Sequence, residues 1–135
     1  MVKRIRGLVC LLAVIGAGLV AVSPAAADSV PCSSYTTLNS STWVEACLHF
    51  GWGADVDDVA SSGYVNNYYY SASTVDMQTC LWLGDQKRIG CSPYEWVSPG
   101  SRVVYNSNSD WAPAEFCSRL WVPGKMVAEE CAWGN

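Results

Sequence analysis

Six cysteines at positions 32, 47, 80, 91, 117 and 131 constrain this chain more than any other feature. An even number of cysteines in a short exported domain argues for three disulfides, which sequence alone leaves open among 15 connectivities. The rival use of such cysteines, a zinc site, needs close CxxC pairs or several histidines. The chain has neither, and its one histidine is His49.

The seventh cysteine, Cys10, falls in a segment that reads as a secretory leader. "MVKRIRG" is basic, an apolar run follows from Leu8 to Val22, and "SPAAA" predicts cleavage after Ala27. Residues 1–27 are therefore expected to be removed, leaving a single secreted domain over 28–135, with no further apolar run long enough to span a bilayer. Five basic residues then face twelve acidic ones, a net charge of −7. A surface of that sign repels phosphate backbones and anionic lipids, so neither nucleic acid nor a membrane surface is expected as a partner.

After a Ser/Thr-rich opening, "CSSYTTLNSST", expected as a surface loop, short β-type runs alternate with turn residues. Their cadence predicts an all-β antiparallel sandwich. In "TWVEACLHFGW", Val44, Ala46, Leu48, Phe50 and Trp52 fall on one face; Trp43, Glu45, Cys47 and His49 fall on the other. Thr42 and Glu45 have the spacing of a helix capping box, but the unbroken alternation favours a strand.

In "TVDMQTCLWLGDQKRIGC", Val75, Met77, Leu81 and Leu83 oppose Asp76, Gln78, Cys80 and Trp82. If Gly84 pairs with Lys87, partner numbers sum to 171, as do 80 and 91, which places Cys80 opposite Cys91. A two-residue turn in "VPGK" brings Cys117 and Cys131 into line only with a one-residue bulge. "SDWAPAEFCSRLW" could alternatively open as a short helix. By elimination Cys32 joins Cys47.

The segments "GYVNN" (63–67), "TVDMQTCLWLGD" (74–85) and "VSPGSRVVY" (97–105) resemble bacterial extracytoplasmic immunoglobulin-like modules of the FxLYD and related types. Gly63, Val65, Asn67, Val75, Met77, Leu81, Pro99, Gly100 and Tyr105 occupy comparable places, over about 43 of the 108 mature residues. The resemblance implies an immunoglobulin-like sandwich of a kind that is commonly non-catalytic. The six cysteines and the Trp-rich tail depart from that pattern. The chain is also similar to small disulfide-bonded proteins that bacteria export.

Chemistry has few candidates. "DVDDVASSGYVN" fails as a calcium loop, lacking the Gly and the closing Glu, so Asp55, Asp57 and Asp58 could hold calcium only weakly. His49 beside Glu45 reads as a solvated polar rung. No nucleophile motif accompanies it, and carboxylate pairs among Glu45, Asp55, Asp57, Glu129 and Glu130 are ordinary for an acidic surface. Neither catalysis nor a cofactor is expected.

Aromatic placement is the stronger signal. Trp43, Trp82, Trp121 and Trp133 share strand faces with cysteines, and "NNYYYS" is expected to send Tyr69 to one side, Tyr68 and Tyr70 to the other. Such tryptophans either shield disulfides or form an exposed recognition surface. The expected binding residues are Trp43, Trp82, Trp121 and Tyr69. The expected function is a secreted protein-binding or inhibitory module. The alternatives are a carbohydrate-binding module for cell-wall or plant polysaccharide and a structural envelope protein.

Overall fold

The computed structural model describes residues 30–51, 58–107 and 113–134. The leader, Asp55 and Asp57, Trp52 and the stretch ahead of Pro113 lie outside the described residues.

Among the described residues, nine strands form two antiparallel sheets and there is no helix. The first sheet runs in the order β1 (Thr36–Thr37), β2 (Trp43–Phe50), β3 (Val59–Val65) and β7 (Arg102–Asn106). The second runs β5 (Lys87–Cys91), β4 (Val75–Leu83), β8 (Ala114–Val122) and β9 (Lys125–Gly134), and β6 (Glu95–Val97) also pairs with β4. The arrangement is the sandwich-like all-β fold expected from the alternation.

Two clusters of apolar side chains fill the space between the sheets. Val44, Ala46, Val65 and Val103 meet Met77, Leu120 and Ala128 in one, and Leu48 and Val59 meet Leu81 and Phe116 in the other. A buried polar contact crosses between the sheets among them, Ser61 Oγ to Thr79 Oγ1 at 2.9 Å.

All three disulfides are present as expected: Cys32–Cys47, Cys80–Cys91 and Cys117–Cys131. Each joins directly paired residues. The last needs the bulge that the turn arithmetic demanded. Val122 pairs with Lys125 and Trp121 with Met126, then the register slips by one and brings Cys117 opposite Cys131. Gly124, at φ 80°, supplies the left-handed residue of the Pro-Gly turn.

The 80–91 hairpin reaches its pairing differently. Leu83, not Gly84, pairs with Lys87 around a three-residue loop, and a shift between Leu81 and Trp82 restores the register at Cys80. Gly84, at φ 54°, opens that loop. The same strand edge continues through Ser92, whose N–H donates to Thr79 O, into β6.

Three further local expectations are corrected. The opening segment is not all loop: Thr36 and Thr37 pair with β2. Residues 68–71 form a bend and turn rather than a strand, so the tyrosines there do not alternate. From Ala114 the chain is extended, which removes the helical alternative for the described part of that segment.

Candidate functional site

The outer face of the first sheet gathers four aromatic residues at one end of β2. Cys32 bridges Cys47, Ser33 N–H donates to Ala46 O, and Leu48 N–H donates to Pro31 O. The opening segment is thereby laid alongside β2, and Tyr35 arrives next to Trp43 with ring centroids 6.0 Å apart at 72°. Tyr69 meets Trp43 edge to face at 5.5 Å and 89°, and Tyr68 lies 6.4 Å away at 38°. Tyr68 and Tyr69 are 6.5 Å apart. Tyr68 is 83% exposed and Tyr69 53%, whereas Trp43 is half-buried.

The loop that carries these tyrosines is tied at one end to Trp43 of β2 and at the other to Ser41 and Thr42, just ahead of that strand. Asn66, 2% exposed, clamps Trp43: its Oδ1 accepts from Trp43 N–H at 2.8 Å and its backbone N–H donates to Trp43 O. The same side chain donates to Ser41 O. Beyond the tyrosines, Ser41 Oγ donates to Ser71 O, and Ser73 N–H donates to Thr42 Oγ1. Such ties hold exposed rings in place with little ordering left to pay on binding.

Glu45 and Tyr64 extend this surface. Burial raises the Glu45 carboxyl above the usual carboxylate range, against the opposing influence of Arg102. The Tyr35 phenol is also raised, by desolvation first and then by Glu45, Tyr64 and Tyr68. The phenols and the carboxylate therefore share one neighbourhood. Arg102 stands over the Tyr64 ring at 5.9 Å.

A second aromatic group occupies the outer face of the other sheet. Trp82 and Trp121, with Gln78, Cys80 and Arg88, line a shallow depression of about 190 Å³. Arg119 covers Trp82, its guanidinium carbon 4.3 Å from the ring centroid, and is held by Glu129 and by Asp85 at 2.9 Å. Trp82 is half-buried rather than open to solvent, and its Nε1 is buried with no hydrogen-bond acceptor.

The four residues expected to bind therefore separate. Trp43 and Tyr69 belong to one cluster; Trp82 and Trp121 belong to another, on a different sheet. Tyr35 and Tyr68 join the first cluster without having been expected there.

His49 is corrected most. It is not a solvated rung but 4% exposed, with Nε2 2.8 Å from Ser62 Oγ. Burial first, and Arg102 second, lower its pKa to about 4. The contact has the length of a nucleophile–base pair, yet Ser62 has no exposed surface through which a substrate could reach it. Among the described residues, the groupings that resemble metal sites are Cys32, Glu45, Cys47 and Cys117, Glu129, Cys131. Their cysteines are consumed in disulfides and offer no thiolate. Asp58 is 6% exposed rather than solvated, and Asp55 and Asp57 lie outside the described residues. No described helix is long and apolar enough to cross a membrane.

Compared with known proteins, the chain matches no family model, and no curated protein or solved structure is significantly similar to it.

Proposed function

We propose that this is a small exported, non-catalytic binding module that docks on another extracellular protein through the aromatic cluster around Trp43. The observation that carries the reading is the tied loop presenting Tyr68 and Tyr69 to solvent against Trp43. Tyrosine and tryptophan dominate interface hot spots because they bring large area at low conformational cost.

Ring orientation favours protein over sugar. Stacking on a polysaccharide uses a flat, open ring face, whereas Tyr35 and Tyr69 stand at 72° and 89° to Trp43 and make the surface corrugated. The basic, apolar leader and the three disulfides fit an oxidising compartment outside the cytoplasm.

The test immobilises wild-type protein and the Tyr68→Ala/Tyr69→Ala variant, and exposes both to the extracellular fraction of the producing culture. Stoichiometric retention of a discrete protein by wild type alone supports the reading. If insoluble polysaccharide instead depletes wild type and spares the variant, the carbohydrate-binding alternative replaces it.

A further inference from the structure

We propose that the Trp43 cluster is a receptor for a cation, taking the ammonium or guanidinium group of a lysine or arginine on the partner protein. The inference rests on the protein-docking reading and names the chemistry of its central contact. The rings of Trp43, Tyr68 and Tyr69 form a triangle with sides of 6.4, 5.5 and 6.5 Å, inclined to one another at 38°, 89° and 64°. Tyr68 is 83% and Tyr69 53% exposed beside Trp43, so ring surface is open to solvent there, and a ring face carries the negative lobe of its quadrupole.

A counter-charge lies on the same surface. Glu45 is two residues beyond Trp43 on the same face of β2, and it is close enough to Tyr35, itself in contact with Trp43, to act on that phenol. The hydroxyl and carboxylate oxygens around the rings are hydrogen-bond acceptors, which an ammonium or guanidinium can use and a neutral apolar group cannot.

The molecule already contains a filled example. On the other sheet, Trp82 receives the Arg119 guanidinium on its ring while Glu129 and Asp85 hold its charge. The Trp43 cluster repeats the receiving half of that arrangement, a tryptophan with a carboxylate beside it. Among the described residues the cation–π contacts are Arg119 on Trp82 and Arg102 on Tyr64, and neither occupies Trp43, Tyr68 or Tyr69. The net charge of −7 beyond the leader draws basic partners toward the protein as a whole.

The experiment follows the assigned indole N–H signal of Trp43 by NMR while the full mature chain is titrated at fixed ionic strength. Three probes are used: N-acetyl-glycyl-lysyl-glycine amide, the same peptide acetylated on its side-chain amine, and tetramethylammonium chloride. The expected result is a saturable shift with the lysyl peptide and none with the acetylated form. The Tyr68→Leu/Tyr69→Leu variant keeps the net charge and should weaken binding about three- to tenfold. Glu45→Gln should weaken it about threefold.

Equal shifts with both peptides, no shift with either, or an unchanged affinity in the tyrosine variant would overturn the proposal. So would a shift with tetramethylammonium alone, which would assign the cluster to a small quaternary ammonium ligand. Loss of protein capture by Tyr68→Ala/Tyr69→Ala without any lysyl-peptide response would leave the docking reading standing and remove only the cation.

Discussion

Gly63 on β3 faces Leu120 on β8 with no space between them: a methyl group at position 63 would overlap Leu120 Cδ1 and crowd its Cγ and Cδ2. Leu120 is fully buried, so it has no solvent to move into. Gly63→Ala is therefore expected to destabilise the fold by about 1–3 kcal/mol through overpacking. Urea unfolding of Gly63→Ala, Leu120→Val and the double variant checks this, because the smaller side chain at 120 should recover part of the loss.

The Ser61–Thr79 hydrogen bond gives a second expectation. Both residues are fully buried, so Ser61→Ala leaves the Thr79 hydroxyl without its partner across the sandwich. The cost should be about 1–3 kcal/mol. Adding Thr79→Val removes the stranded hydroxyl, and denaturant midpoints should show the double variant to be more stable than Ser61→Ala alone.

Stability should also depend on His49. Its pKa is near 4 in the folded protein and near its ordinary 6.5 when unfolded, so the unfolded chain binds the proton first. Between pH 6.5 and 4 the folded state therefore loses stability as pH falls, and above 6.5 the residue has no effect. The full loss is about 3 kcal/mol. Unfolding free energies of wild type and His49→Gln, compared at pH 7.5 and 4.5, isolate this contribution from the carboxylates. A wild-type pH dependence no steeper than that of the variant would contradict it.

For the disulfides, Cys117→Ala/Cys131→Ala opens a cross-link of sequence separation 14. The expected loss is about 3 kcal/mol, set mainly by the freedom returned to the unfolded chain. Chemical unfolding of this double variant and of wild type under non-reducing conditions measures the difference.

Trp82 and Arg119 should be coupled. Trp82→Ala removes a half-buried ring and its cation contact, so stability is expected to fall by about 1–2 kcal/mol. A double-mutant cycle with Arg119→Ala should return a coupling of about 0.5–1 kcal/mol. A coupling near zero would mean that the stacking contributes nothing to stability.

The strand faces were legible in the sequence wherever burial is one-sided. Val44, Ala46 and Leu48, and likewise Val75, Met77 and Leu81, point into the core as their spacing required. Alternation does not say what covers the other face, and this is why His49 was misplaced: its parity is right and its environment is not. Trp82 followed the same course, on the outward face but beneath Arg119. The Trp43 cluster was half visible. Trp43 and Tyr69 could be singled out, but Tyr35 joins them only because Cys32 pairs with Cys47 within a strand register. Elimination gave that bond without a register. The signal lay in the chain all the same, since an antiparallel bridge at 32 and 47 sends residue 35 toward the start of β2.

The pairing of the cysteines has a consequence for biogenesis. Each is bonded to the next one in the sequence, at separations of 15, 11 and 14 residues, and no bond spans from one sheet to the other. A chain passing through a pore N-terminus first can complete each link before the next pair emerges, so the native set can be reached by oxidation in order of appearance. If the chain is exported as proposed, it needs an electron acceptor at the exit more than it needs an isomerase to undo mistakes.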